Sequence, residues 1–261
     1  MDKKQNFHYF DQRILNTENR FTIGLIGCGG TGSAMLVALA KINAALKLYD
    51  KPELMVTVYD SDIIAHHNVG RQLFSYSDID RNKAICAVSR VNMYYGLNWE
   101  AIPENITAKN FKSFNLIITT TDNLPSRLLV YLKFQLPQTL DNSHLDEEIS
   151  YWMDIGNDNR FGQMIVGSKL INQSLSIKDS WPRLDCVYDI HPEAKDAKPN
   201  PTTYSCSAHH TLVEQDLFIN QIMANFAGDW LWTFFKKYRV HYNGFYLNLD
   251  NFNLTPILLE K

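Results

Sequence analysis

The turn Gly27-Cys28-Gly29-Gly30-Thr31-Gly32 follows directly on an apolar run at residues 21–26, and a second apolar run at 54–59 ends on an acidic pair, Asp60 and Asp62. This order constrains the chain more than any other feature. Strand, glycine turn, helix and a second strand tipped with carboxylate make half of a nucleotide-binding α/β unit. Gly27, Gly29 and Gly32 hold the G-x-G-x-x-G spacing. The first permits a tight turn, the second lets backbone approach a phosphate and the third allows the helix to pack on the strand. The helix N-terminus, with Gly30 in its first turn, then offers unpaired N–H groups and a partial positive charge to an anion. Nicotinamide and flavin dinucleotides are the usual occupants of such a turn; the residues after the second strand point elsewhere.

Hydrophobic periodicity extends the α/β reading. Residues 35–46 have apolar side chains at helical spacing and stop at Asp50-Lys51-Pro52, residues 82–95 form a helix ended near Gly96, and residues 126–135 a third helix. Strands are expected at 99–103, at 116–120, where the run is most strongly apolar, and at 138–141. Residues 149–155 and 163–167 read as a hairpin around Gly156-Asn157. From 168 to 205 periodicity fades while Pro182, Pro192, Pro199 and Pro201 accumulate, which predicts a long crossover loop. A helix over 212–235, bent near Gly228, and a terminal hairpin at 244–249 and 254–258 complete the chain. The expected architecture is a single Rossmann-like domain over 1–261, with a nucleotide-binding core at 21–167, the loop at 168–205 and the C-terminal helix and hairpin at 206–261. Its sheet should be largely parallel, with antiparallel C-terminal strands.

Composition narrows the partners. A hydrophobic share of 45%, a charged share of 20% and a net charge of −3 describe a globular chain without a polyanion-binding signature, so no direct contact with nucleic acid is expected. The first 20 residues are polar, and no run approaches about 20 uninterrupted apolar residues, so the expectation is a soluble cytoplasmic protein with no membrane partner. The four cysteines, Cys28, Cys86, Cys186 and Cys206, include no C-x-x-C pair, which predicts neither a disulfide framework nor a zinc site.

After the second strand come Asp60-Ser61-Asp62, then Asn68-Val69-Gly70-Arg71-Gln72, then Lys83 opening a helix, and later Thr121-Asp122-Asn123 followed by Arg127. This order of D-x-D, N-x-x-R-Q, lysine and T-D-N resembles the ThiF and ubiquitin-activating-enzyme superfamily, over roughly residues 21–167. The resemblance implies ATP-dependent adenylation of the C-terminal carboxylate of a small ubiquitin-like protein. It also implies that Asn68, Arg71 and Lys83 contact phosphates, that Gln72 supports their loop, and that Asp122 holds magnesium, with Asn123 beside it. A twofold homodimer follows from the same likeness, with Arg13 as the nearest match to an arginine that relatives pass across the dimer. Physical chemistry agrees on the nucleotide: holding a triphosphate and stabilising charge at phosphorus calls for cations such as Arg71 and Lys83, which hydride transfer does not need. Asp60, at a strand tip, suits ribose hydroxyls. Asp62 is equally a cap residue, and His66 and His67 read as loop histidines.

Further segments, G-R-Q-L-F from Gly70, Y-W-M-D-I-G-N from Tyr151, Y-S-C-S from Tyr204 and E-Q-D-L-F-I-N from Glu214, resemble the ThiF-family proteins of the PRTRC system, a bacterial gene cassette whose other proteins become expected partners. Cys206 precedes the long helix, where N–H groups favour thiolate; it reads either as an acyl acceptor after adenylation or as a small buried apolar residue. Cys186 is a weaker second candidate, and Cys28 and Cys86 read as packing residues. The rival readings are a nucleotide-binding scaffold without turnover and a Rossmann oxidoreductase.

Overall fold

A computed structural model describes residues 6–10, 20–136, 149–169, 180–196 and 216–260 of the chain. After a short strand β1 (His8–Tyr9), β2 (Phe21–Ile26) leads through the glycine turn into α1 (Gly30–Leu48) and on to β3 (Leu54–Tyr59). An irregular stretch precedes α2 (Lys83–Tyr95), β4 (Glu100–Ile102), β5 (Leu116–Thr119) and α3 (Leu124–Gln135). The antiparallel pair β6 (Tyr151–Asn157) and β7 (Phe161–Ser168) follows, then a single turn α4 (Val187–Ile190), the long α5 (Ile219–Lys237), β8 (Arg239–Val240), β9 (Tyr242–Asn248) and β10 (Asn253–Leu258).

Eight of these strands form one sheet in the order β10-β9-β7-β6-β5-β2-β3-β4. The run from β4 to β6 is parallel, and β7, β9 and β10 extend it antiparallel. This is the mixed α/β sheet expected from the sequence. Side chains alternate between its faces, as a strand's two-residue repeat requires. Ile23, Leu25, Val56, Val58, Leu116, Ile118, Met153, Met164 and Val166 join the core under α1, α2 and α5, while Ile26, Tyr59, Ile117, Trp152 and Ile165 join a second core under α3 and α4. Burial on both faces explains why β2, β3 and β5 read as unbroken apolar runs.

The same burial explains α1. Its length and hydropathy would also suit a membrane span, yet it lies against α5 with residues such as Met35, Leu36, Leu39 and Ile42 in the core. A helix that is apolar nearly all round is a buried helix. α5 runs unbroken through Gly228, where a bend was expected. The glycine serves close approach instead: a Cβ there would sit 3.1 Å from that of Ala38 on α1. The hairpin turn falls at 158–160 rather than at Gly156-Asn157, because Gly156 and Asn157 are still paired with Gln163 and Gly162. The described part of the expected loop contains α4 and a 3-10 turn at 192–196. The strand expected at 138–141 lies outside the described residues.

β1 pairs antiparallel with β8, bringing His8 into the core beneath them. Its ring nitrogens lie 2.9 Å from the Trp181 carbonyl oxygen and 3.2 Å from the Tyr151 hydroxyl. Burial lowers its pKa to about 4, opposed only by the hydrogen bond to Trp181. The unfolded chain therefore binds the proton more readily. This site's stability is fully present above the unfolded value near 6.5 and is lost as pH falls from there through about 4. The expected loss is about 3 kcal/mol across that window. Urea unfolding at pH 7 and pH 4.5 measures it, and His8→Gln, which does not titrate, should flatten the slope; an equally steep slope in the variant would assign the acid sensitivity to another group.

Candidate active site

The order of strands reverses between β2 and β5: β3 and β4 lie to one side of β2, and β5 and β6 to the other. In open α/β sheets the crevice at such a reversal, outside the carboxyl ends of the strands, is where ligands bind. Three sequence-predicted segments meet there. Gly27, at φ +94°, turns the chain out of β2, and Thr120, just past β5, donates its hydroxyl to the Gly27 carbonyl at 2.9 Å. A Cβ on Gly32 would stand 2.1 Å from that carbonyl oxygen, so the third glycine is the point of closest helix–strand approach. At Gly29 a Cβ would meet nothing within 4 Å, which leaves the start of α1 open. α1 has no side-chain cap, so its first N–H groups remain available to an anion.

Asp60 follows β3 and braces this turn. One carboxylate oxygen accepts the Cys28 N–H at 2.5 Å and the other the Asp62 N–H at 2.8 Å. Burial raises its pKa, while the two N–H groups and Lys83 pull it back. Asp60 thus holds the turn in shape, and its carboxylate oxygens keep lone pairs for further donors. Asp62 is exposed and pairs with the Lys83 amine at 2.7 Å. Asn82, which the sequence reading passed over, fixes that pair in place. Its Oδ1 caps α2 by accepting the Ile85 N–H at 3.0 Å, and its Nδ2 donates to the carbonyls of Asp60 and Asp62 at 2.8 and 3.1 Å. Lys83 is the buried first residue of α2, and its charge acts on Asp60 and on Cys28 in the glycine turn.

The N-x-x-R-Q loop supplies further positive charge. The pKa of His67 is lowered by partial burial and by the nearby charges of Arg71 and Lys83. One loop histidine, one arginine and the helix lysine therefore share an electropositive neighbourhood, a grouping that spacing did not reveal. Asn68 and Asn123 have local backbone tasks: Asn68 Oδ1 accepts the Ala65 N–H at 2.9 Å, and Asn123 Oδ1 caps α3 through the Ser126 N–H at 3.1 Å. Gln72 is buried next to Arg71. Asp122 lies exposed between β5 and α3.

Arg127 is held against β6. Its Nε is 3.2 Å from Asp154 Oδ1, within ion-pair range but without hydrogen-bond alignment, and its Nη2 donates to the Ile155 carbonyl at 3.3 Å. Asp154 also accepts the Thr119 hydroxyl at 2.5 Å, and Thr119 takes the Trp152 indole N–H at 2.9 Å. Beside this network, Gly156, Phe161, Gln163, Tyr246, Asn248 and Thr255 line a shallow pocket of about 370 Å³ on the antiparallel extension.

Among the described residues, no group of three or more His, Cys, Asp or Glu side chains is arranged to hold a metal ion by itself. A single carboxylate such as Asp122 still suits magnesium, which is commonly held by one or two carboxylates together with substrate phosphates. Three described cysteines are buried thiols: Cys28 and Cys86 have raised pKa values and Cys186 is pushed up to about 12, in each case chiefly by burial. Cys186 therefore fits packing, not nucleophilic chemistry. Cys206 and Arg13 lie outside the described residues.

No curated protein matches the sequence. Among solved structures, Escherichia coli MccB superimposes with a TM-score of 0.58 at 15% identity, over 96% of this chain and 64% of its own. PaaA does so with a TM-score of 0.57 at 15% identity, over 95% and 75%. MccB has also been solved with ATP, and with AMPCPP together with MccA. The chain thus shares this fold while spanning about two-thirds of the length of MccB. The model of the ThiF family matches residues 2–139, a stretch that runs past the glycine turn, the D-x-D pair, the arginine loop, Lys83 and Asp122. Since that stretch is more than half of the chain, the protein belongs to the ThiF family.

Proposed function

We propose that this protein uses ATP to adenylate the C-terminal carboxylate of a small ubiquitin-like protein. The observation that carries the reading is the charge of Lys83 acting on Asp60 and on Cys28 of the glycine turn, with the charge of Arg71 joining it at His67, at the reversal of the sheet. Two cations, Arg71 and Lys83, near a phosphate-binding turn match a triphosphate better than a dinucleotide. The solution of MccB with ATP supports the same choice. A carboxylate oxygen attacks the α-phosphorus, the bond from that phosphorus to the bridging oxygen breaks, and pyrophosphate leaves. The nucleophile is already ionised near pH 7, so no residue need remove a proton. The work left to the protein is positioning and charge stabilisation. N–H groups of α1 and the cations of Arg71 and Lys83 hold the phosphates, while Asp60 orients the ribose. Magnesium, held by Asp122 and the nucleotide, would supply further neutralisation of phosphate charge.

A subsequent transfer to sulfur would fall to Cys206, because the thiols of Cys28, Cys86 and Cys186 are buried. Homodimerisation and partners from the PRTRC cassette belong to the same proposal and rest on the sequence resemblance. Calorimetry tests its core: ATP with magnesium should bind, and NAD should bind at least tenfold more weakly. Tighter binding of NAD than of ATP would overturn the reading. Pyrophosphate exchange with small proteins encoded beside the gene then identifies the carboxylate.

A further inference from the structure

The first turn of α1 is held from outside the nucleotide-binding half. Thr31 Oγ1 lies 2.8 Å from Asn157 Oδ1 at the end of β6 and 2.9 Å from Asn220 Oδ1 on the first turn of α5. Asn157 Nδ2 donates to that same Asn220 oxygen at 3.2 Å. With its oxygen committed to these donors, the Asn220 amide nitrogen faces Gly30, 2.5 Å from where a Cβ would stand. Asn220 is only 4% exposed, and its Nδ2 has no partner among the described residues. A buried donor without an acceptor is costly to the fold, and native structures keep few of them. This one adjoins a 19-residue helix that begins without a side-chain cap, next to a glycine with open space before it.

Resting on the adenylation reading, we propose that Asn220 is a positioning residue of the nucleotide site. Its side chain accepts the Thr31 hydroxyl and packs against Gly30, so that the first N–H groups of α1 point at the bound phosphate, and it ties that geometry to β6 and α5. A residue close to the C-terminal end of the fold would then determine how well the N-terminal glycine turn receives ATP. Packing alone gives a different expectation. If Asn220 merely filled volume, an alanine at position 30 would replace what Asn220→Ala removes, since the new Cβ would stand in the vacated space.

The test is magnesium–ATP calorimetry, with thermal unfolding, on wild type, Asn220→Ala, Gly30→Ala and the double variant Gly30→Ala with Asn220→Ala. Asn220→Ala should weaken ATP binding at least tenfold while unfolding within a few degrees of wild type. Gly30→Ala alone should lower the melting temperature, and the double variant should recover it without recovering ATP affinity. ATP binding within twofold of wild type in Asn220→Ala would overturn the proposal. Full recovery of affinity in the double variant would overturn it too, by reducing Asn220 to volume, and loss of folding in both Asn220→Ala and the double variant would make it a core residue. Wild type that binds no ATP would instead refute the adenylation reading beneath it.

Discussion

Replacing Lys83 by alanine should lower pyrophosphate exchange by roughly 10²–10³-fold, the scale for removing one preorganised donor from a developing charge. The fold should survive. Lys83 is buried, but its visible partner is the Asp62 carboxylate, whose side chain is 61% exposed. Such a half-solvated pair contributes no more than about 1 kcal/mol to stability. Asn82 caps α2 through atoms that the substitution does not touch, so the helix start should stay in place. The loss should fall mainly on turnover, because the amine is needed most when charge builds on the departing phosphates. Arg71→Ala should behave in the same way, and His67 gives an independent reading: with either cation removed, its pKa should rise toward its usual value, which nitrogen-15 NMR can follow. Unchanged exchange in both variants would mean that the cluster holds the loop together and does no chemistry.

The sequence exposed those parts of the fold whose signal is local. β2, β3 and β5 are apolar on both faces and stop at turn residues, and α2 starts at a capping asparagine and ends at a left-handed Gly96, so these elements were legible within a residue or two. β1 and β8 were not. Each spans two residues, and they pair across most of the chain, so nothing near either one marks it as a strand. The candidate site divides the same way. Gly27, Asp60, Arg71 and Lys83 stood out because their order is distinctive, whereas the closeness of His67 to the two cations depends on how an irregular loop folds back. Thr31, Asn157 and Asn220 come from three separate elements and carry no spacing rule at all. Asn68 and Asn123 show a further limit: their Oδ1 atoms accept local backbone N–H groups, a task that no spacing in the sequence marks.

Two glycines of one motif should fail in opposite ways. Gly32→Ala puts a Cβ 2.1 Å from the Gly27 carbonyl oxygen and 2.7 Å from Thr120 Oγ1, where the nearest obstacle is backbone and cannot swing aside. The turn would have to part from β2 and from the segment after β5, giving up the Thr120 hydrogen bond to Gly27. Overpacking of that kind costs about 3 kcal/mol, so the variant should unfold at markedly lower urea and bind ATP poorly because its turn is misshapen. Gly29→Ala meets no atom within 4 Å, so its added methyl group should cost far less stability than the one at position 32. The space it enters is the space a phosphate needs. ATP affinity should therefore fall at least about tenfold, or ~1.4 kcal/mol, with a far smaller drop in the unfolding midpoint than Gly32→Ala shows. Urea melts and ATP calorimetry on the two variants separate these outcomes. A Gly29→Ala protein with wild-type affinity would place the phosphates away from this turn, and the adenylation reading would lose the anion site on which it depends.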